Sequence, residues 1–310
     1  MTALTVAVLL LYAAGAVVAG SRWLPGAAWT LRAPRTAIAI WLAGGASIVG
    51  AVVTAGATLA VPCLPATLTL AGFRTCLDGM WAQYSTPAGA LAAGLGSLVV
   101  LTVLGRIAWC TGAALADGRR RRARHDEVLT MVARPGPDGV RIIEDGQPAV
   151  YCLPGRRQIV LTTGAMRCLK GRQLDAVLAH ERAHLTGRHH LLLTVSRALQ
   201  DAFPAVRFFA RAASQVSELV EVAADDAATR REDRLTLAGA LLAVAAAGTP
   251  AGALGAGGTA DAQRVRRLID PPGRLSRTEW ALTSATLATT SLFAVVAPAT
   301  ALITAVYCFT

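Results

Sequence analysis

Two histidines stand four positions apart in the segment His180-Glu181-Arg182-Ala183-His184, with a glutamate directly after the first. On a helix, His180 and His184 project from one face, one turn apart, so both imidazoles can bind a single metal ion. Zinc suits this arrangement, because catalytic zinc sites use three protein ligands and leave one position for water. Glu181 can accept a proton from water that attacks a peptide carbonyl and later pass it to the leaving amine. The segment therefore predicts a zinc endopeptidase centre with Glu181 as its general base.

The H-E-x-x-H pattern is only moderately specific by itself. Its plainer alternatives are a solvated helix face that matches by chance and a structural metal site. The residues at 176–179 are all apolar, so the three ionisable groups are expected on a half-buried helix. Burial of such groups costs several kcal/mol unless a metal and polar partners satisfy them. The context therefore favours a catalytic zinc site.

A third metal ligand is expected on a second helix. Glu221 follows His184 by 37 positions, and Asp225 lies one helical turn beyond Glu221 on the same face. There, the Asp225 carboxylate can accept the second N–H of a ligand histidine and fix the orientation of its ring. Glu218 and Asp226 are neighbouring acids, so the assignment of the third ligand and its supporting carboxylate stays open between these residues. The small residues between Glu221 and Asp225 allow close approach of the two helices, which favours Glu221.

Other polar residues near these motifs carry weaker signals. His189 and His190 are candidates for an additional metal or substrate contact, although a solvated surface is the expected setting. Arg264 belongs to a late helix together with Arg266 and Arg267. One of these arginines is a candidate for stabilising an oxyanion or holding a substrate backbone. The alternative for them is positive charge near a membrane surface.

The composition is that of a membrane protein. Hydrophobic residues make up 54% of the 310 positions and charged residues only 16%, whereas soluble domains carry about a quarter charged residues. The formal net charge of +11 would also suit a nucleic-acid-binding protein. Here the arginines cluster beside apolar stretches, where attraction to anionic headgroups and control of topology explain them. The lipid bilayer is therefore an expected partner, and direct nucleic-acid binding is not expected.

Four stretches are long and apolar enough to cross a bilayer, which needs about 20 residues of helix. They cover residues 2–20, 37–61, 87–108 and 280–306. Trp23, Trp41, Trp109 and Trp280 fall near their ends, as interfacial aromatic residues do. A cleaved signal peptide is the alternative for the first stretch. Its start lacks a positive charge and its apolar run is long, which favours an uncleaved span.

The distribution of arginine predicts the orientation in the membrane. Three arginines follow the first span and the run at 119–122 follows the third, whereas the loop after the second carries only Arg74 against Asp78. Positive loops stay in the cytoplasm, so the segment after the third span is expected inside and both termini outside. The same orientation places Cys63 and Cys76 on the oxidising side, where a disulfide can form.

The segment between the third and fourth spans is long enough to form one domain core. Short strands are predicted at 140–143, 149–153 and 158–162, with Pro154-Gly155 as a hairpin turn. Helical patterns cover the H-E-x-x-H segment, 191–199, 213–230, 235–247 and 263–269. The predicted fold class is a mainly α membrane protein, with four transmembrane helices plus an α+β zincin-type metalloprotease domain that contains a small β-sheet. The predicted division is 1–116 for the three-helix region, 117–277 for the protease domain, and 278–310 for the fourth span with a short extracytoplasmic C-terminus.

These motifs together resemble the BlaR/MecR-type transmembrane metallopeptidases, a gluzincin family related to HtpX and the CAAX prenyl proteases. The residues that carry the resemblance lie at 151–155, 180–184 and 221–225, between the predicted spans. The resemblance implies one zinc ion per chain held by His180, His184 and Glu221, with Glu181 as the base. It also implies that Asp225 supports a ligand, and Arg264 falls where relatives place a late helical arginine.

The sequence departs from that family in two places. Many relatives carry an aspartate where this chain has His189, so a polar contact made there is in question. The chain also stops at Thr310, soon after the fourth span. The extracellular penicillin-binding sensor is therefore expected to be absent, and with it a site for acylation by β-lactams.

The sequence accordingly predicts a zinc endopeptidase of the bacterial cytoplasmic membrane that cleaves a protein substrate at the inner surface. The resemblance suggests a transcriptional repressor as substrate, and a homo-oligomer is compatible with it. One alternative is HtpX-like quality control of membrane proteins. The other is a non-catalytic membrane interaction protein with a structural zinc ion.

Overall fold

A computed structural model describes residues 2–61, 80–82, 84–154, 157–248 and 258–309 of the chain. The Cys63/Cys76 loop and Gly155 of the predicted hairpin turn lie outside the described residues, as does most of the glycine-rich stretch after residue 248. Side chains from residue 295 onward, including that of Cys308, also lie outside them. No disulfide prediction is tested by the described part of the chain.

Helices dominate the described residues. In chain order they are α1 (Thr2–Trp23), α2 (Pro34–Ala60), α3 (Pro87–Val132), α4 (Thr163–Cys168), α5 (Arg172–Thr186), α6 (His189–Ala202), α7 (Arg207–Ala228), α8 (Arg234–Gly248), α9 (Gly258–Ile269) and α10 (Arg277–Phe309). The strands are β1 (Ala133–Pro135), β2 (Val140–Ile143), β3 (Val150–Leu153) and β4 (Gln158–Thr162), and a 3-10 turn, Pro137–Gly139, joins β1 to β2. The predicted mainly helical class with a small sheet is confirmed.

Within the described parts of the chain, three helices are long and apolar enough to cross a membrane, namely Ala3–Trp23, Pro34–Ala60 and Pro87–Val132. They correspond to the first three predicted spans. The fourth predicted span is helical within α10, but its crossing of the membrane remains a prediction. Helix α3 has 46 residues and is therefore about 69 Å long, against about 30 Å for a bilayer core. If α3 crosses the membrane, its arginine-rich second half must project into water.

Local sequence signals explain where the long helices begin. Pro34 and Pro87 occupy the first turns of α2 and α3, where proline's missing N–H would have had no partner anyway. The Thr86 hydroxyl accepts a hydrogen bond from the Gly89 N–H at 3.2 Å, which caps α3. Helix α10 begins with a capping box, because the Glu279 N–H donates to the Ser276 hydroxyl and the Ser276 N–H donates to the Glu279 carboxylate.

The sheet has the strand order β1-β2-β4-β3. Strands β2 and β4 are parallel, and β1 and β3 are antiparallel to their neighbours. The three predicted strands are confirmed, whereas β1 was not predicted, because its three residues carry no alternating pattern. Strand β3 forms one edge and packs against α5. Buried residues of β4 and α5 share a core that includes Ile159, Leu161 and Val177, and this core fixes the sheet beside the H-E-x-x-H helix.

Helix α7 packs against the membrane helices α1 and α2 in one continuous core. The ring of Phe208, at the start of α7, lies 5.2 Å from the ring of Trp41 between centroids. A Cβ atom at Gly20 would lie 2.5 Å from the Phe208 ring, and one at Gly44 3.2 Å from it. Small residues on α1 and α2 therefore make room for Phe208. Trp41 is 1% exposed, so its predicted interfacial position is wrong, because the ring fills this core instead.

Candidate metal centre

Helix α5 brings the two motif histidines and Glu181 to one place. It begins after Gly171, which has a φ of 52°, a left-handed conformation that favours glycine. One face of α5 packs Leu174, Val177 and Leu178 against the sheet and α8. His180 and His184 point from a different face, toward α7.

Three donor groups converge between α5 and α7. His180 Nε2 and His184 Nε2 are 3.0 Å apart, and each lies 3.5 Å from a carboxylate oxygen of Glu221. Zinc bonds of about 2.0–2.2 Å at a tetrahedral angle require ligand atoms about 3.3–3.5 Å apart. The three observed separations are close to that requirement. The donor set and its spacing therefore fit a zinc ion, and this is the one such cluster among the described residues.

Asp225 and Arg264 support this group from behind. His180 Nδ1 lies 2.9 Å from an Asp225 oxygen, so the ring nitrogen away from Glu221 has a carboxylate partner. The Arg264 guanidinium donates two hydrogen bonds to Asp225, at 2.9 and 2.8 Å, and also lies 3.2 Å from Glu221. Asp225 thus lies against His180 on the side away from Glu221, and its support of a metal ligand stays a prediction. Arg264 is held by the two α7 carboxylates, and its predicted substrate or oxyanion contact stays a prediction.

His189 supports the second histidine. His189 Nδ1 lies 2.9 Å from His184 Nδ1, so one of the two ring nitrogens donates and the other accepts. His189 is 7% exposed, and a side chain at Gly187 would collide with its ring. The expected solvated surface is therefore wrong for His189, because the start of α6 turns back over α5. His190, the next residue, is half-buried and lies outside the cluster.

Glu181 is half-buried beside the histidines and strand β3. Burial raises the pKa of its carboxyl above the usual value, although the nearby His180 and His184 oppose the shift. The Cys152 side chain on β3 lies beside Glu181, and burial together with this carboxylate raises the pKa of the thiol to about 12. Cys152 therefore stays a thiol at neutral pH and can donate to the Glu181 carboxylate. The sequence did not signal this contact, because nothing local links 152 to 181.

The pKa values of the two acids on α7 and of the acid on α5 are shifted in opposite directions. Burial disfavours the charged forms of Glu221 and Asp225, but their hydrogen-bonding partners prevail. His180 and His184 hold the pKa of Glu221 well below its usual value, and Arg264 and His180 lower that of Asp225. Glu221 and Asp225 therefore stay ionised as a ligand and its support require, whereas Glu181 has the raised pKa that suits a general base.

The other candidate residues lie outside the cluster. Glu218 is exposed and bonds with Ser214 and Gln215 on its own helix. Asp226 pairs with Arg267 at 2.7 and 3.1 Å. Arg267 also donates to the Leu31 carbonyl in the loop between α1 and α2, and Arg266 is exposed.

The comparisons with known proteins point to the same segment. Residues 116–249 match the family model for Peptidase family M48, and this segment contains His180, Glu181, His184, Glu221 and Asp225. A "Protease HtpX homolog" of Burkholderia mallei (strain SAVP1) and another of Burkholderia thailandensis (strain ATCC 700388 / DSM 13276 / CCUG 48851 / CIP 106301 / E264) are each 33% identical over 87 residues. That alignment covers 27% of this chain and 30% of each relative.

No solved structure matches the chain significantly. Because the alignment covers 30% of each curated relative, the chain spans about a third of the length of the relatives it matches. These matches support a membrane zinc metallopeptidase of the M48 type, and they do not confirm the predicted BlaR/MecR type.

Proposed function

We propose that this chain is an integral-membrane, zinc-dependent endopeptidase that cleaves a protein substrate at the cytoplasmic face of a bacterial membrane. The proposal depends chiefly on one observation. His180, His184 and Glu221, which are distant in sequence, present ligand atoms within 4.8 Å of one another, with Glu181 directly beside them. The match of residues 116–249 to a peptidase family supports it.

In this proposal, His180, His184 and Glu221 hold the metal, with Asp225 and His189 keeping the two rings in place. When bound, zinc would supply Lewis-acid chemistry, lowering the pKa of water toward ~7 and polarising a carbonyl. Glu181 accepts the proton of the attacking water and then donates it to the leaving amine. Cys152 donates a hydrogen bond that orients the Glu181 carboxylate. Strand β3, an edge strand beside α5, offers free backbone groups to an extended substrate.

The proposed orientation follows the arginine distribution. The loop between α1 and α2 and the second half of α3 carry the positive charge and lie in the cytoplasm. The N-terminus and the end of α10 then lie outside. This orientation puts the metal centre at the inner surface, because α7 connects the centre to the cytoplasmic ends of α1 and α2.

The similarity to HtpX homologues and the resemblance to BlaR/MecR proteins suggest two different substrate classes. The relatives named as HtpX homologues favour membrane-protein quality control, in which selectivity among unfolded substrates is low. Cleavage of a repressor depends only on the resemblance to BlaR/MecR proteins. The non-catalytic alternative leaves Glu181 without a role, because a structural zinc site needs no adjacent carboxylate with a raised pKa.

The decisive experiment is Glu181→Gln in the full-length protein in its membrane. We expect zinc to stay bound, because Glu181 is not among the three converging donors, and cleavage to fall by at least about 100-fold, as loss of a general base implies. Glu218→Gln is the matched control, since Glu218 is an exposed acid remote from the cluster. Cleavage by Glu181→Gln at the wild-type rate would refute the proposed base.

A proteomic comparison of membranes that contain wild type or Glu181→Gln identifies the substrate class. Many fragments of misassembled membrane proteins, present only with the wild type, support quality control. A single fragment of a DNA-binding protein supports repressor cleavage. The absence of any fragment that depends on Glu181 would favour the non-catalytic alternative.

A further inference from the structure

A large cavity lies among α1, α2, α3 and the start of α7, away from the metal centre. Its volume is about 980 Å³, within the usual range of about 300–1,000 Å³ for small-molecule sites. Most of its walls are apolar side chains of the three candidate membrane helices, including Val17, Ile48, Val52 and Val103. The remaining wall comes from Phe209 and other residues at the turn that precedes and begins α7.

The cavity has the length of one lipid leaflet. Along α1 it extends from Ala13 to Arg22, which is about 14 Å of helix rise. Half of a bilayer core is about 15 Å. The end of α1 at Arg22 lies beside Trp23, which is 75% exposed and has the position expected of an interfacial aromatic residue. The apolar part of the cavity therefore lies at acyl-chain depth, and the Arg22 end lies at headgroup depth.

Three arginines lie at the headgroup end, namely Arg22, Arg207 and Arg211, and the residues that line the cavity include no carboxylate. Arg211 donates to the Ser21 carbonyl at the end of α1. Arg22 and Arg207 have neither hydrogen-bond nor ion-pair partners among the described residues. Three positive groups beside an apolar channel complement a molecule with an anionic head and an aliphatic tail.

We propose that this cavity binds one anionic phospholipid of the inner leaflet. Its phosphate lies among Arg22, Arg207 and Arg211, and one acyl chain fills the channel between α1 and α2. Because Arg207 and Arg211 belong to α7, the lipid would also connect α1 to the helix that carries Glu221. The site depends on α1, α2 and α3 being membrane helices, and it does not depend on peptidase activity.

The test measures lipid binding by the zinc-loaded, full-length protein. The protein is reconstituted in nanodiscs of phosphatidylcholine with increasing phosphatidylglycerol of the same acyl chains, and retained lipid is counted by native mass spectrometry after release. We expect one phosphatidylglycerol to be retained in preference to phosphatidylcholine. Arg22→Gln and Arg207→Gln should each weaken retention about fivefold and together about thirtyfold, as loss of about one headgroup contact each implies. Neither variant removes a side-chain hydrogen bond or an ion pair between the described residues.

Three further variants test the apolar part of the site and provide its controls. Ala14→Phe fills the apolar channel and should abolish the preference, whereas Leu11→Phe, on the same helix but outside the cavity, should preserve it. Arg266→Gln removes an exposed arginine elsewhere and should also leave it unchanged. Thermal unfolding in pure phosphatidylcholine checks that each variant is folded.

Several results would overturn the proposal. One is that the wild-type protein retains phosphatidylglycerol and phosphatidylcholine equally. Another is that the folded Arg22→Gln/Arg207→Gln double variant retains as much phosphatidylglycerol as the wild type does. Loss of substrate cleavage in that variant with phosphatidylglycerol retention intact would assign the cavity to the substrate instead. Each of these is distinguishable from failure of the proposed peptidase, because the lipid measurement needs no cleavage.

Discussion

At the metal centre, each histidine presents one ring nitrogen to Glu221 and the other to a different supporting group. His180 has the charged Asp225, which Arg264 holds from the far side. His184 has the imidazole of His189. The two rings are therefore oriented unequally, one by a charged network and the other by a single imidazole, whose pKa burial and the neighbouring His184 lower to about 4. Supporting groups of this kind fix ring orientation and tune metal affinity.

Asp225→Asn tests the charged support. It removes the negative charge shared by His180 and Arg264, so we expect zinc affinity to fall about 10-fold to 100-fold. Competition with a chromophoric chelator measures the affinity of the purified protein. Asp226→Asn is the matched control, because the adjacent Asp226 pairs with Arg267 instead. If both variants lose zinc equally, Asp225 has no special part in holding His180.

His189→Ala tests the second support. We expect zinc affinity to fall about 10-fold, because His184 Nδ1 loses its partner. His189→Asn places a neutral acceptor at the same position and should recover part of the loss. His190→Ala provides the comparison, since the neighbouring ring makes no contact with His184. An unchanged zinc affinity in His189→Ala would show that the contact does not orient the ligand.

Helix α7 is the element that joins the membrane part to the metal centre. Its first turn buries Phe208 against α1 and α2, and its later turns carry Glu221 and Asp225. The separation of Phe208 and Glu221 along the helix is about 20 Å. The metal ligand is thus positioned relative to the membrane by a rigid helix and not by a flexible linker.

Gly20→Val tests this packing. A side chain at Gly20 would overlap the buried Phe208 ring, and overpacking of a core usually costs about 1–3 kcal/mol. We therefore expect a lower thermal unfolding temperature in detergent. Gly15→Val is the matched control, because nothing lies within 4 Å of a Cβ there. Recovery in a Gly20→Val/Phe208→Leu double variant would locate the strain at this contact, and equal stability of the two glycine variants would contradict it.

On the scale of the whole molecule, the membrane helices and the peptidase-like segment form one body. Arg32 in the first loop pairs with Glu279 at the start of α10, and Arg267 joins that loop to α7. The loop between α1 and α2 therefore contacts both α9, which follows the peptidase-like segment, and the final helix. All of these contacts lie on the side that the arginine distribution assigns to the cytoplasm.

Cysteine labelling in intact cells tests the proposed orientation. In a chain whose native cysteines are replaced by serine, Ser85→Cys lies before α3 and Arg120→Cys lies in its arginine-rich half. We expect a membrane-impermeant maleimide to label the first and not the second, because positive loops stay inside. Labelling of both after cell lysis shows that each thiol is accessible. Labelling of Arg120→Cys alone in intact cells would reverse the topology.

The sequence by itself determined the local features of this protein. The length of the apolar stretches predicted the first three membrane helices, and the spacing of apolar residues predicted three strands and most helices of the peptidase-like segment, because these signals lie within single short segments of the chain. The H-E-x-x-H spacing placed His180 and His184 on one face for the same reason. Glu221 and Asp225 could be selected by spacing and by the small residues between them.

Only the tertiary structure decided which groups meet across elements. The attachment of Arg264 to Asp225, the burial of His189 on His184 and the contact of Cys152 with Glu181 join residues on different helices and strands. The Trp41 side chain is buried because it packs against the ring of Phe208, which lies on a helix distant in sequence. Such contacts depend on how α7 packs between α5 and the membrane helices, and no local pattern encodes that packing, because it is the sum of many weak contacts between distant segments.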